Sequence, residues 1–422
     1  MADFHQSGVV TTLHRLRPGG LGRLERELEE YSRTLPIGLV LPALYSEFKT
    51  PAMRGIVEEL ASVHYLHEIV VSLDRANFAE YLHACSFFRD LPVPVTVMWN
   101  DGQRMLDLFA SLDDHGLSAG PRGKGRSCWM AYGYLLARGQ CGMVAIHDCD
   151  ILNYSRELLA RLCYPVANQS LGIDFCKGYY ARTGAKMYGR VTRLFMTPLI
   201  RAMETMAPGV PFLPFLDSFR YPLAGEFAMK IDLARVNRVP GDWGLEVGVL
   251  AEVYRNSSPA RTCQVDLADN YEHKHQDLCA DDPKCGLRKM ACDIAKSLFR
   301  TLAAEGVVFS SVQFQALQAR YTRLAEDMIN SYRADAMLNG LEFDRNAEEE
   351  AIGTFVKSLG QAAEEFRSNL LELPAIPNWN RVRDRLPGFF AQLLDALSRD
   401  MELASMPLYG QLARTSQSFA HA

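Results

Sequence analysis

Residues 142–150 read GMVAIHDCD, an apolar run of strand length that ends in two aspartates one residue apart. Residues i and i+2 of a strand lie on the same face, so Asp148 and Asp150 are expected side by side. Two like charges at this spacing cost energy unless a cation or a ligand neutralises them. The stretch therefore predicts a buried strand whose end binds a cation or a ligand.

Similar runs precede this stretch and alternate with segments of helical pattern. The strand-like runs are residues 37–41, 68–73 and 94–98, and the helical patterns cover residues 53–62, 78–88 and 129–137. Short, nearly continuous apolar runs rich in valine and isoleucine are typical of parallel strands that helices cover on both faces. The alternation predicts an α/β fold with a Rossmann-like, doubly wound and mostly parallel sheet.

The carboxyl ends of the predicted strands carry polar or turn-forming residues. These ends are Pro42-Ala43-Leu44, Leu73-Asp74 and Asp148-Cys149-Asp150. In an open α/β sheet, ligands bind in the crevice beyond the carboxyl ends of the strands. We therefore expect the three ends to converge on one binding crevice.

Helical periodicity dominates the rest of the chain. Apolar residues recur at helical spacing in residues 21–31 and, after about residue 287, in residues 287–305, 311–337, 347–372 and 387–405. The pattern predicts an N-terminal helical segment (1–35), a catalytic α/β domain (36–285) and a helical C-terminal region (286–422). Within the α/β domain, residues 36–150 are expected to bind the nucleotide part of a ligand and residues 151–285 its reaction partner. The apolar stripes of the C-terminal region indicate packing or dimerisation surfaces.

The composition excludes several classes of protein. The chain has 422 residues, 48% of them hydrophobic, and a formal net charge of -5, which argues against a general nucleic-acid binder. No apolar stretch approaches the roughly 18 residues of a membrane span, and the N-terminus lacks a signal-peptide core, so a cytoplasmic protein is expected. The ten cysteines include no C-x-x-C, which favours buried thiols. A zinc site from Cys279, Cys285, Cys292, His273 and His275 is disfavoured by its spacing.

Three interpretations of the Asp-x-Asp motif compete. The first is a pair of surface acids that cap the next helix. The second is the nucleophile and acid of a haloacid-dehalogenase-type phosphatase, but those aspartates usually follow the first strand, and a Thr or Val stands where this chain has Leu152. The third is the motif of nucleotide-sugar glycosyltransferases, in which carboxylate oxygens hold Mg²⁺ or Mn²⁺ against the donor diphosphate.

Other motifs favour the third interpretation. They are the basic glycine-rich turn 121–126 (PRGKGR), the segments 177–180 (KGYY) and 188–193 (YGRVTR), the glycine-flanked carboxylates in 222–227 (PLAGEF) and 243–248 (WGLEVG), and the imidazoles of 272–275 (EHKH). A lysine in an open glycine turn suits a phosphate, and arginines suit bidentate contacts with anions. Each motif has a structural alternative: Arg190 could cap a helix or cover surface, and Glu246 could pair with an arginine or cap a helix.

Together these motifs identify a family. From about residue 36 to residue 280, the chain resembles the glucosyl-3-phosphoglycerate synthase family of retaining GT-A-type glycosyltransferases. The motifs that carry the resemblance are Pro42-Ala43-Leu44, Gly123-Lys124-Gly125, Asp148-x-Asp150, Gly189-Arg190-Val191-Thr192, Leu223-x-Gly225-Glu226, Gly244-x-Glu246-x-Gly248 and Glu272-His273. The chain departs from the family where a Ser-Gly-Ser-Thr-Asp run usually stands, because residues 72–77 read SLDRAN.

The resemblance implies a role for each motif. It implies donor binding by Pro42, Ala43, Leu44, Glu47, Asp74, Gly123, Lys124, Asp148 and Cys149. It implies acceptor binding by Gly189, Arg190, Val191, Thr192 and Glu226. It implies catalytic roles for Glu246, Asp150 and Lys124, and a divalent metal, Mg²⁺ or Mn²⁺, on Asp150 and His273, with Asp148 and His275 as further candidates.

The function implied is transfer of glucose from an NDP-glucose to the 2-hydroxyl of 3-phospho-D-glycerate, giving glucosyl-3-phosphoglycerate for synthesis of the compatible solute glucosylglycerate. In a retaining transfer the leaving diphosphate can itself deprotonate the acceptor hydroxyl, so no dedicated base is required. A mannosyl-3-phosphoglycerate synthase that uses GDP-mannose is one alternative, and a non-catalytic nucleotide-sugar-binding protein is another. A homodimer is expected, with no nucleic-acid partner.

Overall fold

One mixed sheet forms the centre of the protein in a computed structural model that describes residues 6, 8–17, 19–272, 277–368 and 375–406. Its strands are β1 (Thr11–Leu13), β2 (Ile37–Leu44), β3 (Leu66–Asp74), β4 (Val95–Trp99), β5 (Met143–Ile146), β6 (Phe175–Tyr180), β7 (Phe227–Lys230) and β8 (Thr262–Ala268). The helices up to the last strand are α1 (Leu21–Tyr31), α2 (Pro51–Leu60), α3 (Phe78–Phe87), α4 (Gln103–Asp114), α5 (Lys124–Arg138), α6 (Arg156–Ala167), α7 (Thr197–Met206), α8 (Phe212–Asp217), α9 (Ile231–Val236) and α10 (Leu245–Asn256). The helices after it are α11 (Gly286–Ala304), α12 (Ser311–Leu338), α13 (Arg345–Ser368), α14 (Trp379–Arg385) and α15 (Phe389–Ser405).

The strand order is β1-β8-β6-β7-β5-β2-β3-β4, and only the pairings of β7 with β5 and β6 are antiparallel among the described strands. The predicted mostly parallel α/β sheet is therefore confirmed. The carboxyl ends of β2, β3, β5 and β6 lie at one edge of the sheet, because these strands run in the same direction. Since β7 runs the opposite way, the residues just before it reach that same edge.

Side chains of the central strands alternate between two cores, as the strand period of two requires. Val40, Val144 and Ile146 point to one face, whereas Leu39 and Ala145 point to the other. The first face is covered by helices that include α5, α10 and those that follow β8, and the second by α1, α2, α3 and α6. The sheet is thus buried on both sides, which explains why its strands read as nearly continuous apolar runs.

The C-terminal helices complete the first core. Trp379 of α14 stacks on Trp129 of α5 with ring centroids 4.1 Å apart. Each indole N–H also donates across this contact, from Trp129 to the Pro377 carbonyl and from Trp379 to the Trp129 carbonyl. The residues before and after the predicted boundary at 285 therefore differ in sequence pattern but pack into the same hydrophobic core.

The N-terminal segment differs from the prediction for residues 1–35. Helix α1 lies where it was expected, but the segment also contains strand β1, which pairs in parallel with β8 at the edge of the sheet. Only three residues form this strand, so no periodicity marks it. Its partners lie about 250 residues away along the chain, as in the hydrogen bond from Gln264 to the Thr12 hydroxyl. Among the described residues, none of the helices combines the length and the apolarity that crossing a membrane requires.

Candidate active site

A lysine links the two carboxylates at the centre of the crevice. Asp148 follows β5, and its Oδ1 lies 2.5 Å from Nζ of Lys124, the first residue of α5. The same ammonium donates to Oε1 of Glu246, 3.0 Å away in the first turn of α10. Lys124 thus joins a residue 24 positions away and one 122 positions away at the carboxyl edge of the sheet. Glu246 pairs with a lysine, where the structural alternative expected an arginine.

Electrostatics keep Lys124 protonated. Burial favours its neutral form, but the carboxylates of Asp148 and Glu246 outweigh that effect and raise the pKa of Lys124 well above its usual range. The residue also stands at the N-terminus of α5, where the helix dipole favours an anion. A protonated lysine at a helix N-terminus is a suitable binding group for a diphosphate.

Gly225 explains how Asp148 and Lys124 come together. A Cβ at position 225 would lie 2.8 Å from both Asp148 Cγ and Lys124 Nζ, so any side chain would collide with the pair. The motif that includes Gly225 therefore supplies the space in which the charged pair forms.

The other glycines of the motifs serve packing between loops. A Cβ at Gly125 would lie 2.9 Å from the Pro240 carbonyl carbon, and one at Gly248 would meet the Pro240 ring. Gly123 faces the Gly241 carbonyl in the same way. The segment 240–241 fills the space beside the Cα atoms of Gly123, Gly125 and Gly248, and the donor contact of Gly123 stays a prediction.

The predicted nucleotide side of the crevice lies at the ends of β2 and β3. Ala43 is buried and Leu44 is exposed at the end of β2, and the Leu44 amide donates to Glu47 Oε2 at 3.1 Å. Burial and the nearby Asp150 and Asp148 charges raise the pKa of Glu47 to about 8. Three carboxyl groups therefore face one region of the crevice.

Asp74 ends β3 and is held by neighbours from the glycine-rich turn and α5. The Ser127 hydroxyl donates to Asp74 Oδ2, and Nη2 of Arg122 lies 4.0 Å from Asp74 Oδ1. Arg122 is also ion-paired with Asp101, whose other oxygen accepts from the Ala76 amide. The turn 121–126 is thus tied to the end of β3, which brings Asp74 to the same crevice as Lys124.

The donor groups at this edge suit a hard divalent cation. Asp148, Asp150 and Glu47 offer carboxylate oxygens, the ligands that Mg²⁺ and Mn²⁺ prefer; burial, and after it the charges of Asp150 and Asp148, raise the pKa of Glu47. Within the described residues, no three His, Cys, Asp or Glu side chains lie close enough together to hold a metal. The predicted ligands His273 and His275 lie outside the described residues. The set fits a metal that also takes ligands from a bound phosphate.

Two of the cysteines considered for zinc pair with each other. Cys279 and Cys285 form a disulfide, whereas Cys292 is a buried free thiol of α11. Cys149, predicted to bind the donor, is also buried, with its side chain in the second core. Cys149 can therefore contact a ligand only through its backbone.

A buried lysine lies beneath the crevice. The sequence motifs include its segment, residues 177–180, but no role was assigned to this lysine. Lys177 of β6 is fully buried and donates to the Ala224 carbonyl at 2.6 Å. Burial lowers its pKa to about 8, although Glu246 and Glu226 act in the opposite direction. A lysine inside the apolar run of residues 173–180 was the available signal, because a buried charge is costly without partners.

Glu226 lies near this lysine, and both of its carboxylate oxygens have hydrogen-bond partners. Its carboxylate accepts from the hydroxyls of Tyr180, at 2.6 Å, and Tyr271, and these two rings stack with centroids 3.7 Å apart. Burial, followed by the Asp148 charge, raises the pKa of Glu226. Its direct contact with an acceptor stays a prediction, because both oxygens already have partners.

The predicted acceptor segment leads into a π-helix. Arg190 precedes the π-helical turn Val191–Met196, which continues into α7. Val191 and Thr192 are buried, so Val191 has only its backbone to offer a ligand. Arg190 Nε donates to Oε1 of Glu348 at 2.8 Å. The side chain therefore pairs with a carboxylate, whereas the two structural alternatives were a helix cap and a surface position. π-helical turns are frequent at functional sites.

Comparison with known proteins gives consistent relatives. No family model matches the chain. The glucosyl-3-phosphoglycerate synthase of Persephonella marina is 48% identical over 400 residues, which cover 95% of this chain and 99% of the relative. The enzyme of the same name from Methanococcoides burtonii is 35% identical over 405 residues, which cover 95% of this chain and 98% of the relative.

Solved structures show the same fold. The glucosyl-3-phosphoglycerate synthase of Mycobacterium tuberculosis, in complex with Mn²⁺, uridine-diphosphate-glucose and phosphoglyceric acid, is 22% identical with a TM-score of 0.52, covering 71% of this chain and 89% of that chain. The mannosyl-3-phosphoglycerate synthase of Rubrobacter xylanophilus is 23% identical with a TM-score of 0.54, covering 71% and 83%. At these identities the likeness concerns the fold, which is that of the GT-A glycosyltransferases.

Proposed function

The chain belongs to the glucosyl-3-phosphoglycerate synthase family, and from that premise we propose that it transfers glucose from an NDP-glucose to the 2-hydroxyl of 3-phospho-D-glycerate with retention of configuration. The observation that carries the proposal is the contact of Lys124 with both Asp148 and Glu246 beside Asp150. It brings the predicted donor, metal and reaction-centre residues to one edge of the sheet. The product serves synthesis of the compatible solute glucosylglycerate.

The donor binds along the ends of β2, β3 and β5. Leu44 and Ala43 line the base, Asp148 accepts from the ribose hydroxyls, and the protonated Lys124 at the N-terminus of α5 donates to the diphosphate. The burial of Lys124 between carboxylates supports this role, because its ammonium is already oriented and partly desolvated. Binding of the donor then exchanges the Lys124–Asp148 contact for a contact with phosphate.

Asp150 is the proposed protein ligand of the divalent metal, with His273 or His275 as the second. When bound, Mg²⁺ or Mn²⁺ supplies Lewis-acid stabilisation of the departing nucleoside diphosphate. Asp148 and Glu47 add negative charge that favours the cation at this edge. The complexes of the M. tuberculosis relative with Mn²⁺ or Mg²⁺ support the choice of ions to test.

The acceptor binds on the other side of Lys124, at the turn that opens the π-helix. The Arg190 guanidinium and the Thr192 hydroxyl bind the acceptor phosphate. Gly189 and Val191 contact the acceptor through backbone groups. Glu246 lies between the two substrates and hydrogen-bonds sugar or acceptor hydroxyls in the transition state. In a retaining transfer on one face of the sugar, the leaving diphosphate accepts the proton of the acceptor hydroxyl.

A panel of NDP-sugars tests the substrates. Purified protein is incubated with UDP-, GDP- or ADP-glucose, or with GDP-mannose, together with 3-phosphoglycerate and Mg²⁺ or Mn²⁺, and the product is identified by mass and anomeric configuration. We expect glucosyl-3-phosphoglycerate with retained configuration. Faster turnover with GDP-mannose would assign the mannosyl activity, and donor binding without any transfer would leave a nucleotide-sugar-binding protein.

Asp150→Ala tests the metal assignment. Loss of a metal-held leaving group removes several kcal/mol of transition-state stabilisation, so transfer should fall by roughly a thousand-fold or more. Calorimetric titration with Mn²⁺ and UDP should show weaker metal binding, while the circular dichroism spectrum stays native. Near-normal turnover and metal affinity in this variant would refute the role of Asp150.

Two further features are carried as predictions. A homodimer stays a prediction, and light scattering in solution tests it. A cytoplasmic location is consistent with the biosynthetic enzymes to which the chain is related, and cell fractionation tests it.

A further inference from the structure

A glutamate of the C-terminal region lies next to the proposed acceptor site. Glu348 belongs to α13, and its side chain is buried, with 6% of its surface exposed. One carboxylate oxygen accepts from Arg190 Nε at 2.8 Å and the other from Arg193 Nη1 at 2.9 Å. Two arginines therefore share one buried carboxylate, and the cluster retains one net positive charge that a bound anion can balance.

The two arginines differ in how they are held. Arg193 also donates from Nε to the Tyr188 carbonyl and from Nη2 to the Met187 carbonyl, and its guanidinium lies over the Tyr332 ring. Arg190 uses only Nε, for the contact with Glu348, and its terminal nitrogens make no hydrogen bond to a described residue. Its side chain is 27% exposed, compared with 11% for Arg193. Arg193 is thus fixed by several contacts, and the terminal nitrogens of Arg190 are available to a ligand.

The helices that carry this glutamate are joined directly to the acceptor segment. The Glu342 amide, in the loop between α12 and α13, donates to the Ala185 carbonyl at 2.9 Å. Tyr321 of α12 donates to the Leu194 carbonyl at 2.8 Å, and Phe195 packs against Tyr321 and Phe355. The π-helical turn therefore lies between α12 and α13, which fixes the position of Glu348 relative to Arg190.

We propose that Glu348 is a positioning residue of the acceptor site: by binding Nε of Arg190 it orients the planar guanidinium so that both terminal nitrogens face the acceptor phosphate. The C-terminal helical region thereby contributes to acceptor affinity without touching the substrate. The inference rests on the proposed role of Arg190 in acceptor binding. A guanidinium fixed at one nitrogen loses less rotational freedom when it binds an anion, and that preorganisation strengthens binding.

The test is a double-mutant cycle read on KM values. Glu348→Ala should raise the KM for 3-phosphoglycerate by about ten-fold, the effect of losing one charge-assisted contact, while kcat and the donor KM change less than about two-fold. Glu348→Gln keeps an oxygen for Arg190 and should recover much of the loss. In an Arg190→Ala background, Glu348→Ala should add less than about two-fold, because the two residues act as a unit.

Asp400→Ala is the matched control. Asp400 is a buried carboxylate of α15 that pairs with Arg104 of α4, so it also joins the C-terminal region to the α/β domain, away from the acceptor segment. This variant should lower the melting temperature and leave the acceptor KM unchanged. An equal rise of the acceptor KM in Asp400→Ala would show a general structural effect and overturn the inference.

Other outcomes separate the inference from the proposed function. If Arg190→Ala raises the acceptor KM and both Glu348 variants leave it unchanged, only the positioning role of Glu348 is overturned. The same conclusion follows if the effect of Glu348→Ala persists in full without Arg190. If Arg190→Ala itself leaves the acceptor KM unchanged, the acceptor assignment fails and the inference fails with it. Should Glu348→Ala not fold, Glu348→Met, which keeps the length of the side chain without an acceptor oxygen, takes its place in the two backgrounds.

Discussion

Charged groups at the crevice are held in place by one another and by the space that a glycine leaves between them. Lys124 is held between Asp148 and Glu246, and Gly225 provides the space for the pair of Lys124 and Asp148. Lys177 lies beneath and binds the Ala224 carbonyl, one residue before that glycine. The position of the reactive groups therefore depends on neighbours whose own roles are steric or electrostatic.

Gly225→Ala should separate Asp148 from Lys124. The added Cβ would displace at least one of the two side chains, and small displacements in a preorganised site lower kcat/KM by roughly ten- to a hundred-fold. Gly55→Ala in α2 is the control, because no atom lies within 4 Å of its added Cβ. Steady-state kinetics of both variants check the prediction, and equal activity of Gly225→Ala and wild type would contradict it.

Lys177→Met should change how stability depends on pH. The pKa of Lys177 is lowered to about 8 from an ordinary 10.5, mainly by burial. Between these values the unfolded chain binds a proton that the folded chain has released, so this lysine's contribution to the free energy of unfolding rises with pH. The free energy of unfolding of the variant, relative to that of wild type, should therefore be highest below pH 8 and fall toward pH 10.5. Urea unfolding at a series of pH values measures it, and a constant difference would refute the shift.

Loops are fixed to the sheet edge by short-range packing and by cross-links. The segment 240–241 packs against glycines from both α5 and α10, which sets the positions of Lys124 and Glu246 together. The disulfide between Cys279 and Cys285 closes the loop that leads into α11.

The disulfide predicts a count of reactive thiols. Of ten cysteines, eight are free, so alkylation of the denatured, unreduced protein should modify eight, and ten after reduction. Cys279→Ser should lower the free energy of unfolding by about 2 kcal/mol at most, because the closed loop is short. Mass spectrometry of the alkylated protein checks the count, and ten modified cysteines without reductant would exclude the bond.

The α/β sheet and the C-terminal helices fold around one shared core. Trp379 stacks on Trp129, and a Cβ at Gly133 would collide with the Trp379 ring. Helices α12 and α13 enclose the π-helical turn, and α15 packs near α4 through the ion pair of Asp400 with Arg104. The predicted acceptor segment therefore packs against helices that follow it by more than 100 residues.

Trp379→Ala should destabilise the whole protein. Removing a large buried aromatic side chain costs about 3–5 kcal/mol of unfolding free energy, whereas Trp243→Ala, at an exposed position, should cost less than about 1 kcal/mol. Because the core is shared, denaturant unfolding followed by fluorescence and by circular dichroism should give one coincident transition. Two separated transitions would show that the C-terminal region folds independently.

The sequence by itself determined strands β2 to β5, many of the helices and the edge of the sheet at which a site is expected. Runs such as residues 37–41 and 142–147 are nearly all apolar because both faces of the sheet are covered, and this signal lies within a few residues. The spacing of Asp148 and Asp150 predicts a site for a cation or a ligand, and the structure places Asp148 at the same edge of the sheet. Local pattern and spacing were sufficient for these features, and the family motifs added the expected substrates.

Only the tertiary structure decided which partners the charged residues take. Glu348 meets Arg190 from 158 residues away, Lys177 finds its acceptor 47 residues away, and β1 pairs across the whole α/β domain. Residues so far apart along the chain meet because whole helices and strands pack together. A short stretch of sequence carries no information about such contacts. The buried carboxylates and lysines tolerate their burial because long-range folding supplies hydrogen-bond partners or counter-charges, so these contacts could be identified only from the tertiary structure.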